Sequence, residues 1–290
     1  MENKYQIKIP SGGPQYPETD KDWFQLPINL LAIAKKNSGK TASLSNFLHI
    51  MHRMNKLDMI ILISPTWRNN SHYFKGLPVM HVIQPTLESS DEVIKIVENE
   101  ALEFDNYHER LEKWKELQVF LKSRKNMIDI DENLLLYFSE DMKKPVPKYP
   151  GGRKPIIFAM YDDCLSTPAF SPKSSLGYLA IKHRHIGETK NFGSISCNLL
   201  IATQAYTSNN NGVPKSVRAN CNIICVFANK SKNEIDLIAD EAAGEISSDL
   251  FHKLHEEATS KPFGFLTIDF TKKSNHPSMF RQNWNKFLLV

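Results

Sequence analysis

The chain has 290 residues, 41% of them hydrophobic, and its 36 Lys and Arg against 32 Asp and Glu leave a formal net charge of +4. This length and composition allow one large core or two modest ones, and so small a net charge is no proof of a nucleic-acid partner. No stretch reaches the roughly 18 uninterrupted apolar residues of a membrane span, and the N-terminus has no signal-peptide pattern. We therefore expect a soluble, intracellular protein.

Cysteine and histidine spacing argues against a transition-metal centre. The four cysteines are scattered through apolar runs without paired CxxC spacing, which predicts buried, reduced thiols rather than zinc ligands. The ten histidines form no HExxH pattern or other clear ligand spacing. The cysteine and histidine spacing does not argue against a magnesium site, because magnesium is bound by carboxylate and hydroxyl oxygens.

The chain begins with a polar segment, residues 1–22, which predicts a partly ordered arm. From Phe24, FQLPINLLAIA has the pattern of a buried strand, KKNSGKT that of a loop and TASLSNFLHIMHRM that of an amphipathic helix. Later apolar runs predict strands at 59–63, 156–161, 199–203, 223–228 and 263–270. Short apolar strands that alternate with helices predict an α/β fold, with a mostly parallel central sheet flanked by helices.

The interval between the predicted strands at 59–63 and 156–161, about 90 residues, is too long for a simple connection. Its middle is strongly helix-forming, and a Pro- and Lys-rich loop, KKPVPKYPGGRKP, follows. We therefore predict a helical insertion at about 88–150 within one domain that spans 23–290. A solvated amphipathic cover is the preferred interpretation of the insertion, and contact with a neighbouring subunit or DNA is the alternative.

The segment AKKNSGKT, residues 34–41, matches the Walker A pattern GxxxxGK[ST] except at its first position, where Ala34 replaces glycine. A buried strand precedes it and an amphipathic helix follows, as a phosphate-binding loop requires, whereas an ordinary surface helix is the alternative. Lys40 would reach the β and γ phosphate oxygens, and Thr41 would place its hydroxyl on magnesium. If the first position requires a positive φ, Ala34 costs about 1 kcal/mol and weakens nucleotide binding.

Two carboxylates, Asp162 and Asp163, follow the apolar run IIFAMY, which is the Walker B arrangement. Asp162 would hold magnesium directly or through water, and Asp163 lies where a general base could polarise the attacking water. A helix N-cap pair is the alternative for two adjacent aspartates, but the Walker A loop favours catalysis. Gln204 ends the next strand, LLIAT, where an amide can orient a water or sense the γ-phosphate.

Two arginines are candidates for stabilising the charge that develops on the transferred phosphoryl group. Arg184 lies in KHRHIGE before the strand LLIAT, and Arg218 lies in VPKSVRANCN after it. Taken individually, each could equally be a solvated surface arginine.

The order of these motifs resembles that of the packaging ATPases of the FtsK-HerA superfamily. Along the chain they are Walker A, SPT after the second strand, the DD of Walker B, RH before the strand LLIAT, the glutamine that ends this strand, and VPKSVRAN. The resemblance is greatest to the poxvirus-type enzymes of large DNA viruses and their virophage and Polinton-like relatives, and it spans about residues 24–245. It implies an additional-strand, RecA-like P-loop NTPase fold. It also implies an ATPase motor that moves double-stranded viral DNA into a preformed capsid.

The resemblance assigns roles to the motif residues. It implies metal binding by Thr41 and Asp162, catalysis by Lys40 and Asp163, and sensing by Gln204, with ATP and Mg²⁺ as cofactors. The nucleotide-binding segment would comprise Ala34, Lys35, Lys36, Asn37, Ser38, Gly39, Lys40, Thr41 and Ala42.

Family membership also implies partners: a homo-oligomeric ring, usually a hexamer, duplex DNA bound independently of sequence, and a capsid-vertex or portal-like protein. A trans-acting arginine, Arg184 as first choice or Arg218, would complete each site at a subunit border. The expected location is a viral factory in the host cytoplasm, the nucleus or the virion. Two positions depart from the wider pattern, Ala34 and an aspartate in place of glutamate at 163, so we expect little activity from an isolated monomer.

The DNA-contacting segments cannot be assigned from sequence; the Lys-rich stretch 143–154 and the Asn-rich loop 208–212 are candidates, and each could equally be a solvated loop. Three other functions compete. One is a helicase-like or recombination ATPase, and a second is a non-hydrolysing structural protein stabilised by nucleotide. The third, a small-molecule kinase, is disfavoured because the sequence shows neither an acceptor-binding constellation nor an arginine-rich lid.

Overall fold

A nine-stranded sheet lies at the centre of the computed structural model, which describes residues 16–123, 134, 143–207, 212–229, 231–242 and 246–289. A separate two-stranded hairpin pairs Glu188–Thr189 with Gly193–Ser194. In chain order the strands are β1 (Asn29–Ile33), β2 (Met59–Ile63), β3 (Val79–Ile83), β4 (Ile157–Tyr161), β5 (Glu188–Thr189), β6 (Gly193–Ser194), β7 (Asn198–Thr203), β8 (Ile223–Phe227), β9 (Phe265–Asp269), β10 (Phe280–Gln282) and β11 (Lys286–Phe287).

The strand order across the sheet is β3-β2-β4-β7-β1-β8-β9-β10-β11. The strands from β3 to β8 pair in parallel, and β9, β10 and β11 extend the sheet in antiparallel fashion. Strand β7 therefore lies between β1, which leads into the Walker A loop, and β4, which leads into the two aspartates. This inserted strand confirms the additional-strand P-loop fold that the sequence predicted.

Helices cover both faces of the sheet. In chain order they are α1 (Lys40–Arg53), α2 (Trp67–Asn70), α3 (Ser89–Lys122), α4 (Leu176–Lys182), α5 (Lys215–Arg218), α6 (Lys232–Ala242) and α7 (Ser248–Thr259). On one face, α1 packs with Trp23, Phe24 and Trp284, and on the other lie α3, α4, α6 and α7. Two apolar layers explain why the parallel strands β1, β2, β4, β7 and β8 are buried along their whole length. No helix among the described residues is long and apolar enough to cross a membrane.

The long interval before β4 contains the edge strand β3 and the 34-residue helix α3. Val93, Val97 and Ala101 in the first half of α3 are buried in the core, so this half is part of the layer that covers the sheet. The sequence did not predict β3, because His81 interrupts its apolar residues; only Ile83 of this strand is buried. Most of the predicted insertion beyond α3, 124–133 and 135–142, lies outside the described residues.

The four cysteines are free and buried, as the sequence predicted, and burial raises the pKa of three of their thiols to about 12. These three are Cys197, Cys221 and Cys225. The described part of the N-terminal arm, 16–22, lies against the C-terminal segment, where Lys273 Nζ donates to the carbonyl oxygen of Asp20 at 2.6 Å.

Candidate active site

The Walker A loop is attached at its start to the strand that carries Gln204. Ala34 is buried, and its N–H donates to the carbonyl oxygen of Thr203 in β7 at 2.9 Å. The positive φ values of the loop fall at Asn37, 62°, and Gly39, 85°, and Ala34 is not among the positive-φ residues. The backbone at Ala34 does not enter the left-handed region, so the condition under which alanine would cost about 1 kcal/mol is not met.

The amino end of α1 is open to an anion. Gly39 caps the helix in the left-handed conformation, and no side chain among the described residues caps this end of the helix with a hydrogen bond. The first N–H groups of a helix have no partner inside it, and the helix dipole adds positive potential there. Ser38 closes the turn by donating its N–H and hydroxyl to the carbonyl oxygen of Lys35. The loop thus presents backbone donors at a positively polarised terminus.

Both Walker B carboxylates contact Walker A side chains. Thr41 Oγ1 donates to Asp162 Oδ1 at 2.9 Å, and Lys40 Nζ donates to Asp163 Oδ1 at 2.9 Å. Asp163 has a φ of 59°, a conformation that aspartate adopts more readily than most residues. This backbone turn separates the two carboxylates, so that each faces a different Walker A residue.

Gln204 joins the same cluster from the end of β7. Its side-chain Nε2 donates to Asp163 Oδ1 at 2.9 Å, the oxygen that Lys40 also contacts. The amide can do so because β7 is the strand inserted beside β4. The structure therefore brings together Lys40, Thr41, Asp162, Asp163 and Gln204, all named from the sequence.

The two aspartates have opposite pKa shifts. Burial raises the pKa of Asp162, which is 1% exposed, and this effect outweighs the hydrogen bond from Thr41 and the charge of Lys40. Burial also acts to raise the pKa of Asp163, but hydrogen bonds from Lys40 and Gln204 hold it below the usual value. Asp163 is thus ionised at neutral pH and is stabilised by groups that a nucleotide would engage.

A cavity of about 450 Å³ opens onto Lys40, Thr41, Asp163 and Gln204, and its volume is in the range of small-molecule and cofactor sites. Its walls combine the Walker A loop with side chains from three further segments. The lining residues are Lys36, Asn37, Ser38, Gly39, Lys40, Thr41, Ala42, Asn70, Tyr73, Asp163 and Gln204.

Two of these lining residues, Asn70 and Tyr73, were missed by sequence reasoning. Asn70 ends α2, and its Nδ2 donates to Asp162 Oδ2 at 3.3 Å and to Thr66 Oγ1 at 3.2 Å. The sequence signal that could have identified Asn70 was the SPT segment after β2, because the carboxyl ends of parallel strands meet at the same sheet edge. A polar residue soon after the end of β2 was therefore a candidate for the site.

A third residue that the sequence did not indicate is Glu234, near the start of α6. Its carboxylate accepts from Lys35 Nζ at 2.9 Å and from the N–H of Tyr206 at 2.6 Å. Burial acts to raise its pKa, and these hydrogen bonds together with one from Asn229 lower it below the usual value. Glu234 thus holds the Walker A loop against the segment that follows Gln204.

The structure separates the two candidate arginines. Arg218 forms an ion pair with Glu241, donates to the carbonyl oxygen of Val213 at 2.7 Å and lies over the ring of Tyr206. It lies beside the end of β7 but outside the phosphate cavity. Its charge is therefore already paired within its own subunit.

Arg184 is exposed, and its guanidinium makes no hydrogen bond with any other described residue. Its neighbour His183 accepts the N–H of Cys197, directly before β7, so Arg184 lies at the amino edge of the sheet. Asp163 lies at the carboxyl edge, and six residues of β7 at about 3.3 Å each separate the edges by about 20 Å. Arg184 cannot reach the site of its own subunit.

The residues present fit a magnesium ion. Mg²⁺ is bound by hard oxygen ligands, usually one or two protein side chains together with water and phosphate oxygens. Thr41, which lines the cavity, and Asp162 supply such oxygens, with Thr41 Oγ1 and Asp162 Oδ1 2.9 Å apart. Thr41 and Asp162 are the residues that would hold the ion.

Comparison with known proteins gives similarities in structure only. No protein-family model and no curated protein matches the sequence. The chain is similar to the genome packaging NTPase B204 from Sulfolobus turreted icosahedral virus 2 in complex with ATP-gammaS, with 14% identity, 89% of this chain and 97% of that chain covered, and a TM-score of 0.41.

It is also similar to EssC (ATPases 2 and 3) from Geobacillus thermodenitrificans, with 13% identity, 89% and 39% coverage and a TM-score of 0.46. A third is the pCW3 conjugation coupling protein TcpA with ATPgS, with 12% identity, 96% and 70% coverage and a TM-score of 0.45. At such identities and TM-scores the likenesses carry no argument about chemistry, which rests on the contacts above.

Proposed function

We propose that this protein is an ATP-driven motor that moves double-stranded viral DNA into a preformed capsid. The observation that carries the ATPase part is the convergence of Lys40, Thr41, Asp163 and Gln204 on one cavity, with Asp162 hydrogen-bonded to Thr41. The packaging part rests on the resemblance of the ordered motifs to FtsK-HerA packaging ATPases.

Hydrolysis begins with an exchange of partners at Lys40. When a triphosphate enters, Lys40 leaves Asp163 for the β and γ phosphate oxygens, and the backbone N–H groups of Gly39 and Lys40 bind the same oxygens. A magnesium ion held by Thr41 and Asp162 would neutralise phosphate charge. Asp163 then loses the cation that lowers its pKa, so its carboxylate becomes a stronger base.

The freed Asp163 carboxylate accepts a proton from a water that attacks the γ-phosphorus, while the Gln204 amide orients that water. The bond to the β-γ bridging oxygen breaks, and ADP leaves with the electron pair. Arg184 of a neighbouring subunit supplies positive charge to the transferred phosphoryl group, since it lies too far from its own cavity. Mixing Arg184→Ala with Lys40→Ala subunits should restore part of the lost turnover, because only mixed borders combine an intact loop with an intact arginine.

The motor activity is tested with a triplex-displacement assay on linear duplex DNA, with ATP and magnesium. We expect wild type to displace a third strand far from the DNA end, and Asp163→Asn to bind the same DNA without displacement. Steep weakening of DNA binding with salt is expected, because contacts to phosphates release counterions. ATP turnover without displacement under conditions of DNA binding would contradict translocation.

Assays with other DNA substrates, and the presence or absence of ATP turnover, distinguish DNA packaging from the competing functions. Unwinding of a forked duplex would favour a helicase-like or recombination ATPase. Tight ATP binding that raises Tm and promotes assembly without turnover would favour a nucleotide-stabilised structural protein. Packaging itself requires docking on a capsid-vertex or portal-like protein, and co-assembly with empty capsids tests that partner.

A further inference from the structure

A second cleft, of about 870 Å³, adjoins the phosphate cavity and shares Asn37, Gly39, Ala42 and Tyr73 with it. Beyond these shared residues the cleft runs along the first three turns of α1 toward an aromatic wall formed mainly by C-terminal residues. We propose that this cleft binds the base of the nucleoside triphosphate and that Phe263 is the residue on which the base stacks. The inference rests on the proposed function, since it assumes a triphosphate on the Walker A loop.

Phe263 is held in a conformation that its own packing does not explain. Its φ is 62°, in the left-handed region that a phenylalanine avoids, and its side chain is 66% exposed. Both the backbone and the exposed apolar surface oppose this arrangement. Strain of this kind persists where the surrounding structure imposes it and is concentrated at ligand sites.

The loop between α7 and β9 imposes the position of Phe263. A Cβ added to Gly264 would come within 2.4 Å of the carbonyl oxygen of Ala258, so the chain can turn there only with glycine. The N–H of Gly264 donates to the carbonyl oxygen of Lys261 at 3.0 Å and closes the turn. The ring of Phe263 is thereby placed over Gly39, whose added Cβ would lie 2.9 Å from Phe263 Cδ1.

The rest of the cleft suits a flat, partly polar ring. Trp284 forms its floor and is held by edge contacts to Phe265 at 4.7 Å between ring centroids. Asn283 accepts the N–H of Phe265 with Oδ1, and its Nδ2 donates to no other described residue. That amide is available to an acceptor nitrogen of a heterocycle.

Stacking makes the cleft selective for purines. Stacking on an aromatic ring stabilises a bound base, and a purine covers more of the ring than a pyrimidine does. We therefore expect purine triphosphates to bind more tightly than pyrimidine triphosphates, with little further selection by the exposed Asn283.

The test is calorimetric binding of ATP, CTP and inorganic tripolyphosphate to the full chain in the presence of magnesium. Wild type should bind ATP at least 10-fold more tightly than tripolyphosphate. Phe263→Ala should weaken ATP binding by about 5- to 100-fold, matching the loss of one stacked base, and leave tripolyphosphate binding unchanged. Because the side chain is exposed, the variant should fold.

Phe270→Ala is the matched control, since Phe270 is also an exposed phenylalanine, 41%, at the other end of β9 and outside the cleft. It should change neither affinity. Equal affinities of wild type for ATP and tripolyphosphate, or an equal loss for both ligands in Phe263→Ala, would overturn the base site while leaving the phosphate site intact. Failure of wild type to bind tripolyphosphate or ATP would instead overturn the proposed function and the base site with it.

Discussion

Two cation–aspartate pairs in this protein have almost the same separation and very different surroundings. Lys40 Nζ lies 2.9 Å from Asp163 at the carboxyl edge of the sheet, and Arg281 Nη2 lies 3.1 Å from Asp269 in its antiparallel extension. The first pair borders a cavity, and Gln204 also contacts its carboxylate. In the second pair both side chains are 0% exposed.

The buried pair is surrounded by groups that hold it in place. The Arg281 guanidinium lies between the rings of Phe24 and Phe287, at 4.2 and 4.5 Å from their centroids, and donates to the carbonyl oxygen of Asp22. Burial raises the pKa of Asp269 despite the arginine. Charge and a shifted pKa are thus common to both pairs, and what distinguishes the candidate active site is a cavity through which a ligand can replace one partner.

The largest expected effect is on turnover, in Asp163→Asn. Loss of the general base should reduce ATP turnover by about 10²–10⁴-fold, while ATP binding and the free energy of unfolding change little, since Asp163 faces the cavity. Steady-state phosphate release and urea unfolding measure the two quantities. Retention of more than a tenth of wild-type turnover would show that another residue activates the water.

The buried pair should respond in the opposite way. Arg281→Met leaves Asp269 buried without its cation and should lower the free energy of unfolding by about 3–5 kcal/mol, with kcat per folded molecule unchanged. Without the arginine the pKa of Asp269 rises further above its unfolded value. Folding then favours the protonated form, so the loss is greatest at neutral pH and decreases as the pH falls.

Urea unfolding at pH 7.5 and 5.5 measures that loss. The double variant Arg281→Met with Asp269→Asn is the control, since it removes both charges and should recover much of the stability. A loss that is independent of pH would contradict the charge-based explanation.

The smallest effect concerns Gln204. Gln204→Ala removes one hydrogen bond, from a neutral amide to the Asp163 carboxylate, and turnover should fall about 10-fold, the equivalent of about 1.4 kcal/mol. The amide helps to lower the pKa of Asp163, which must be ionised to act as a base, so its removal raises that pKa. The acid limb of kcat/KM, which reports the free enzyme, should therefore move to higher pH. An unchanged acid limb would show that Gln204 does not lower the pKa of Asp163.

The sequence predicted which residues meet at the candidate site, because its signals there are local. Walker A is one continuous segment, and Asp162 and Asp163 follow an apolar strand directly, so short windows of sequence contained both. Parallel strands then bring their carboxyl ends to one edge whatever the loops do. The position of Gln204 followed from the same rule.

What the sequence missed depends on long-range contacts. Strands β10 and β11 are three and two residues long and exist because they pair with β9 and with each other. Glu234 and Arg281 acquire their partners only when distant segments meet. The strand predicted at 263–270 begins at Phe265, because Phe263 and Gly264 form the turn before it.

The most direct test of the account is the rate of ATP hydrolysis with magnesium, measured with and without duplex DNA over a range of protein concentrations. We predict a rate per subunit that rises with both DNA and concentration, since a neighbouring Arg184 must complete each site, and that is lost in Lys40→Ala and Asp163→Asn. Measurable ATP binding without turnover under any of these conditions would contradict an autonomous motor.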